Sequence, residues 1–179
     1  MLFFNKKKDS CTVKDIVFMH NNAKWDALAL MAKASPSTIF ICWFETTCQQ
    51  LQTHFTAQGI NTQHIFLYRM ANIANTRNVT VVFAEHYPLR AKEMECYTAL
   101  QLTEARVYSA LEEPLFAHFG GQKIIHILQQ TGVNENEALE NPIISRALKN
   151  AQEKLAATLL IEQTANSQSD WFKRNGQQP

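Results

Sequence analysis

Glycine is scarce in this chain, and the common glycine-rich phosphate-binding loops are absent. Only five of the 179 residues are glycine, and the sequence contains neither G-x-x-x-x-G-K-[ST] nor G-x-G-x-x-G. A backbone that approaches a phosphate closely needs small residues at the turn between strand and helix. The turn predicted after the second apolar run instead holds the bulky pair Trp43 and Phe44. The sequence therefore argues against a phosphate cradle at this turn.

The chain also lacks an excess of charge and long apolar runs. Charged residues make up 18%, and 17 basic against 16 acidic residues give a formal net charge of +1. This balance gives no reason to expect nucleic acid or an acidic membrane surface as a partner. No run of about eighteen apolar residues occurs, so no transmembrane segment is predicted. The start, MLFFNKKKD, lacks the long apolar core of a signal peptide, and one short apolar tip binds a membrane too weakly for peripheral contact to be expected.

Cysteine and histidine show no ligand spacing. The four cysteines contain no C-x-x-C pair, and the six histidines contain no H-E-x-x-H or comparable pattern. No metal site is therefore predicted. Cys42 lies in an apolar run, where a free cysteine behaves as a small core residue. Without an export signal, we expect reduced thiols and a cytoplasmic protein.

Strand-like and helix-like patterns alternate through the first two thirds of the chain. The strand candidates are Ile16–Met19, Thr38–Phe44, Ile65–Tyr68, Val79–Ala84 and Arg106–Ala110. Their alternation with helices predicts an α/β fold with a parallel sheet of about four to five strands. The stretch RMANIANTRN, from Arg69 to Asn78, is too short for a convincing crossover helix. The loops Trp43–Thr47, Tyr68–Ala71 and Ala84–Pro88 should share the sheet edge at which ligands bind.

Three helices are predicted after the last strand, and the third carries an apolar stripe. The third begins near Pro142, which is tolerated at a first helical position. Its apolar residues recur at helical spacing at Ile144, Leu148, Ala151, Leu155 and Leu159. The stripe either packs on the sheet of the same chain or binds a partner. For the partner alternative, the candidate contacts are Ile144, Leu148, Leu155 and Leu159.

The predicted organisation has four parts. Residues 1–12 form an N-terminal tail, 13–111 the α/β core, 112–165 a helical extension packed on the core, and 166–179 a polar tail. The polar composition of the last part predicts disorder. Trp171 and Phe172 lie within it, and they either dock on the core or belong to a loosely held tail.

Two pairs of neighbouring residues are candidates for chemistry. Glu85-His86 follows a strand and could form an acid–base couple, although an ordinary capping loop is the simpler interpretation. Glu112-Glu113 could be a carboxylate pair, although neighbours in sequence point apart on a helix and acids at a helix start stabilise its dipole.

Three arginines could hold an anion. Arg69, Arg90 and Arg106 could gather at the sheet edge, although most arginines are solvated surface groups. Together with Glu85, Arg69 and Arg90 are the weak candidates for the edge of a nucleotide site.

Residue order in the last third carries a family resemblance. Arg106 opens an Arg-x-Tyr strand, an acidic pair follows, Glu137–Pro142 reads EALENP, and Ala147–Gln152 reads ALKNAQ. With this order and spacing, residues 106–156 resemble the end of the second nucleotide-binding domain of SecA, the motor ATPase of preprotein translocation. The earlier chain, from about residue 13, resembles the same domain more weakly. The resemblance implies a RecA-like α/β core followed by a helical extension.

The chain departs from that family where the chemistry is expected. The GRGTD-type motif has no counterpart between Arg69 and Val79. The arginine-finger motif should lie between Glu85 and Arg106, where the chain has no glycine and a single arginine. An arginine finger places positive charge on the transition-state phosphate. The resemblance and its departures together imply a domain that is not an enzyme.

The resemblance leaves two functions open. The preferred interpretation is a protein-interaction or scaffold module without a cofactor, binding itself or another protein, with a possible link to translocation. The alternative is a nucleotide-binding subunit that completes an ATP or ADP site with a partner chain.

Overall fold

A computed structural model describes residues 11–176, which contain a five-stranded parallel sheet with helices on its faces. The strands, in chain order, are β1 (Thr12–Phe18), β2 (Ile39–Cys42), β3 (Ile65–Leu67), β4 (Val81–Phe83) and β5 (Glu104–Ala110). Their spatial order is β1-β5-β4-β2-β3, and every pairing is parallel. The predicted RecA-like α/β fold is confirmed.

The helices follow the predicted alternation. They are α1 (Asn21–Ala34), α2 (Glu45–Ala57), α3 (Ile73–Thr76), α4 (Arg90–Ala99), α5 (Pro114–His118), α6 (Gly121–Gln130), α7 (Pro142–Thr158) and α8 (Gln168–Arg174). Side chains along a strand point alternately to the two faces of the sheet, so β2 contributes residues to two hydrophobic cores. Phe40 and Cys42 pack with α1 and α2 on one face, whereas Ile39 and Ile41 pack with α4 and α7 on the other.

The connection from β3 to β4 is short, as predicted. It contains a 3-10 turn at Tyr68–Met70 and the four-residue helix α3. The face of the sheet beside β3 is therefore bordered by this connection and by the flank of α4, with no long crossover helix in the segment. This difference from the other crossovers leaves open space beside β3.

The apolar stripe of α7 packs on its own chain. Leu148 is 5% exposed and Leu155 is 2% exposed, and both belong to the core shared with α4. Ile144 and Leu159 are partly buried against the same core. The intrachain alternative is the arrangement found, and in it Leu148 and Leu155 are not accessible to a partner.

A glycine pair separates α5 from α6. Gly120 has a φ of +90°, in the left-handed region that favours glycine. At Gly121, a Cβ atom would lie 2.3 Å from the carbonyl oxygen of Leu111. This contact forces α6 to begin with a residue that has no side chain.

The end of the described chain differs from the predicted disordered tail. Residues 168–174 form α8, where Trp171 is fully buried and Phe172 nearly so. Ser167 caps the helix, since its hydroxyl oxygen accepts a hydrogen bond from the N–H of Asp170. Disorder was the wrong expectation for these residues because two large aromatic side chains outweigh the polar composition around them.

At the other end, Thr12 is already the first residue of β1 and not part of a tail. The rest of the predicted tails, residues 1–10 and 177–179, lies outside the described residues, and the division into a core and a helical extension stays a prediction. Within residues 11–176, no helix combines the length and the apolar character that crossing a bilayer requires.

Candidate functional site

A polar cavity of about 150 Å³ opens at the carboxyl ends of the strands. Its walls come from the residues that follow β1, β2, β4 and β5, and from the start of α8. The lining residues are Asn21, Lys24, Trp25, Thr46, Thr47, Gln50, Glu85, Glu112, Glu113, Pro114, Ser167, Gln168 and Ser169. Ligands of parallel α/β sheets bind at this edge, so the cavity is a candidate ligand site.

The carboxyl group of Glu85, a residue that follows β4, lies against the turn that leads from β2 into α2. Its carboxyl Oε1 accepts hydrogen bonds from the backbone N–H groups of Trp43 and Phe44, each at 3.0 Å. Its Oε2 lies 2.7 Å from the Thr47 hydroxyl. Burial raises the pKa of Glu85 to about 8, although these hydrogen bonds oppose the shift. The donors at this helix start, which in other proteins bind phosphate, are thus directed at a carboxyl group of the same chain.

Lys24 is fully engaged beside Glu85. Its side chain is 1% exposed, and its Nζ donates to the carbonyl oxygen of Ala84 at 2.9 Å and to Glu113 Oε1 at 2.5 Å. The ammonium group also lies 3.8 Å from the centre of the Trp25 ring. Glu113 accepts a further hydrogen bond from the backbone N–H of Ala110. Lys24, Glu85 and Glu113 are called the edge network below.

Glu112 and Glu113 do not act as a carboxylate pair. Glu112 accepts hydrogen bonds from the backbone N–H of Asn21 and from the His20 ring, each at 2.8 Å. Partial burial would raise the pKa of Glu112, but these hydrogen bonds outweigh it and lower the pKa. The two neighbouring carboxylates therefore fasten two different parts of the turn and helix that follow β1.

His86 lies between two carboxylates on the opposite side of β4. Its Nδ1 is 2.9 Å from Glu93 Oε1, and its Nε2 is 3.2 Å from Asp15 Oδ1. Burial lowers the pKa of His86, but the two carboxylates outweigh it and raise the pKa to about 10. Although burial opposes it, the neighbouring His86 imidazole holds the pKa of Asp15 below its ordinary value. Asp15, His86 and Glu93 are called the inner network below.

Two glutamines tie the inner network to the C-terminal helices. Gln152 of α7 donates to Glu93 Oε2 at 2.9 Å and to the carbonyl oxygen of Tyr87 at 2.7 Å. Gln168 of α8 donates to the carbonyl oxygen of His86 at 2.9 Å and accepts from the N–H of Leu115 at 2.6 Å. The inner network therefore holds α4, α7 and α8 against the sheet.

The predicted Glu85-His86 couple is not formed. Successive side chains of an extended strand point to opposite faces, and the two side chains belong to different networks with different partners. The acid–base couple was the less favoured alternative, and it is not the arrangement found because the two positions, which follow β4 after Ala84, continue the alternation of the strand.

The three arginines do not gather. Arg69 forms an exposed ion pair with Glu45 at 2.5 Å, and Arg106 pairs with Glu104 at 3.0 Å. Arg69 follows β3 and Arg106 lies within β5, so two strands separate them, a distance of roughly 14 Å across the sheet. Arg90 begins α4 and contributes to lowering the pKa of Asp15. The anion cluster that the three arginines could have formed is not the arrangement found, and Arg69, Glu85 and Arg90 occupy three separate environments.

Sequence reasoning missed Lys24, Asp15, Glu93, Gln152 and Gln168. Lys24 gave one signal, since it lies beside Trp25 on the apolar side of a helix. The others are ordinary polar residues in amphipathic segments, and only their long-range partners distinguish them. Within the part of the chain that the structure describes, no group of three or more histidine, cysteine or acidic side chains is arranged to hold a metal ion.

Comparison with known proteins points to one family over a short segment. No protein-family profile matches the chain. It is 40% identical over 52 residues to the protein translocase subunit SecA of Campylobacter hominis, and 43% identical over 51 residues to that of Desulforapulum autotrophicum. The SecA of Symbiobacterium thermophilum is 35% identical over 54 residues.

Each match covers 28–30% of this chain and 6% of the SecA protein. The chain is thus matched to only a small fraction of the length of these relatives. Assignment of the matched segment to the second nucleotide-binding domain stays a prediction. The predicted resemblance itself is confirmed: this chain is similar to SecA over about 52 residues.

Proposed function

We propose that this protein is a SecA-like domain that does not use nucleotide and acts as a protein-interaction or scaffold module. The observation that carries the proposal is the position of Glu85. Its carboxyl group takes up the backbone donors of Trp43 and Phe44 and the hydroxyl of Thr47. A phosphate at the same turn would have to displace a buried, hydrogen-bonded side chain.

The charges around the cavity support the same proposal. Glu112 and Glu113 line it, and the ammonium group of Lys24 is already held by Glu113 and by a carbonyl oxygen. A nucleotide phosphate entering here would face two carboxylates, and the buried cation is not available to neutralise it. The edge network therefore stabilises the fold at the position where a motor domain would bind its nucleotide.

The relatives suggest where such a module acts. Their printed name is protein translocase subunit SecA, and we infer that this chain contributes to protein translocation from the cytoplasmic side by binding. Its partner is another protein, a translocation component or a second copy of the chain.

Calorimetric titration tests the proposal. We expect ATP, ADP and their Mg²⁺ complexes at millimolar concentration to produce no saturable heat, with wild type and with Glu85→Gln. Thermal unfolding in the same solutions should show no shift in midpoint. Saturable binding would overturn the proposal, as would ATP hydrolysis that Arg90→Ala abolishes. Repeating the titration with any protein that co-purifies separates it from the alternative, a nucleotide site completed by a partner chain.

A further inference from the structure

A second cavity, of about 280 Å³, lies beside β3 where the crossover helix is missing. Three aromatic residues form one end of it: Trp43, Tyr68 and Tyr87. The Trp43 ring centre is 4.9 Å from that of Tyr68 and 5.2 Å from that of Tyr87. The flank of α4, including Ala99, forms another wall. We refer to this space as the aromatic cavity.

We propose that the aromatic cavity receives an aromatic side chain of a partner protein, as the anchor of the interaction. This inference rests on the proposed function, since it names the chemistry of the partner that the module would bind. Aromatic rings pack favourably in tilted and edge-on arrangements, and aromatic anchors in pockets dominate the energy of many interfaces.

The size of the cavity favours a side chain over a larger ligand. Small-molecule and cofactor sites usually measure about 300–1,000 Å³, and this cavity lies just below that range. One ring with its linking carbon fits such a space.

The surroundings favour a protein as the source of that ring. Tyr68 is 37% exposed, and Met70, Leu160 and Ile161 are more exposed still. Met70 lies between two residues of the cavity wall, and Leu160 and Ile161 directly precede a third. A small molecule inside the cavity would leave these apolar side chains in water, but a protein surface around the anchor would cover them.

The charge of the cavity fits an uncharged ring. It is lined by two cations and two carboxylates: Arg69, Lys92, Glu95 and Glu162. Arg69 is paired with Glu45, and Glu162 accepts hydrogen bonds from the Tyr87 hydroxyl and the Trp171 indole. Because the signs balance, neither an anionic nor a cationic ligand gains from the site.

Peptide selection with a matched pair of variants tests the inference. A library of random peptides is selected on wild-type protein and compared on Ala99→Trp, which fills the cavity from the exposed face of α4, and on Ala91→Trp. Ala91 is an exposed residue of the same helix that does not line the cavity. We expect selected peptides to share one aromatic position, to bind Ala91→Trp like wild type, and to bind Ala99→Trp at least tenfold more weakly. Peptides without an aromatic preference, or with equal binding to both variants, overturn the inference.

Free N-acetyltyrosinamide tests whether the aromatic ring belongs to a protein or to a small molecule. We expect the amide to bind at least a hundredfold more weakly than the peptides, because it covers none of the surrounding apolar residues. Equal affinity would overturn the assignment to a protein partner. In the nuclear magnetic resonance spectrum, the indole N–H signal of Trp43 should move on peptide binding while that of Trp25 stays in place.

Adding Mg-ATP to the same sample tests the proposed function separately. Saturable movement of the Trp25 signal, beside the edge network, would count against that function without bearing on the aromatic cavity.

Discussion

The edge network and the inner network use the same kinds of group on opposite sides of one strand. Each surrounds a buried cation with carboxylates: Lys24 with Glu113 in the first, and His86 with Asp15 and Glu93 in the second. The edge network lines a cavity that opens to solvent, whereas the inner network is enclosed by α4, α7 and α8. Under the proposed function, the edge network is a structural element and not a ligand site, because its polar groups already have partners within the chain.

Breaking the inner network should have the largest effect. Glu93→Ala leaves the buried cation of His86 with one carboxylate and removes the acceptor of Tyr87 N–H and Gln152. We expect the free energy of unfolding to fall by about 3–5 kcal/mol. Urea denaturation at pH 7 measures it. The control is Glu95→Ala, an exposed position of the same helix, which should change stability by less than about 0.5 kcal/mol. Equal effects of the two substitutions would contradict the assignment.

Breaking the edge network should cost less, because water in the cavity can solvate what is left. Lys24→Met removes the partner of Glu113 and keeps most of the side-chain volume. We expect a loss of about 2–3 kcal/mol, below the range for a fully enclosed pair. Lys33→Met, an exposed lysine of the same helix, serves as the control in the same urea series. A loss larger than that of Glu93→Ala would mean that the cavity does not admit solvent.

The protonation of Glu85 should make the stability of the protein depend on pH. Its pKa is about 8 in the folded protein against an ordinary value of 4.5, so the folded state holds a proton that the unfolded state releases between these values. Stability should therefore fall as pH rises through this window, by at most about 1.4 kcal/mol per pH unit. Glu85→Gln keeps the shape and the hydrogen bonds without the proton, so its advantage over wild type should grow from pH 5 to pH 7. A difference independent of pH would show that Glu85 is ionised in the folded protein.

His86 should add a second slope at higher pH. Its pKa is about 10 when folded against 6.5 ordinarily, so its contribution is complete below pH 6.5 and is lost as pH rises towards 10. We expect this slope in wild type and in Glu85→Gln alike above pH 8. Its absence from both would mean that His86 is neutral between its two carboxylates.

The smallest effect is expected at the link between the networks and α8. Gln168→Ala leaves the carbonyl oxygen of His86 and the N–H of Leu115 without their side-chain partner. We expect a loss of about 1–2 kcal/mol, again from urea unfolding. Gln163→Ala is the control, since that residue contacts Asn175 through its exposed backbone alone. An unchanged midpoint for Gln168→Ala would show that water replaces both contacts.

Local pattern was enough to predict the sheet. The run Thr38–Phe44 indicates a strand buried on both faces, and the structure contains one at Ile39–Cys42 with all four residues buried. Apolar content and flanking helix signals determine such a strand without knowledge of its neighbours. The same holds for α7. The spacing of its apolar residues predicts which side of the helix is buried, but it does not identify the surface against which that side packs.

The sites depend on partners that are distant in sequence. Glu85 meets Trp43, and Asp15 meets His86, across separations that no local pattern encodes. Continuing the alternation of β4 for three residues past Phe83 would have predicted that the Glu85 and His86 side chains point to opposite faces. The burial of Trp171 could not be predicted from the sequence, because it depends on a contact with the ring of Tyr87, which is distant in the chain.

The pairing of β1 with β5 has a consequence for synthesis. Thr12 lies opposite Glu104, so β1 cannot pair until the ribosome has synthesised a strand that lies 92 residues downstream. At about 5–20 residues per second, translation takes roughly 5–18 s to supply it. During that interval β2, β3 and β4 can pair with one another. Strand β1 remains unpaired, so Asp15 cannot yet contact His86. We therefore expect nascent chains that end before β5 to be accessible to proteases at β1, and protection to appear only once β5 has left the ribosome.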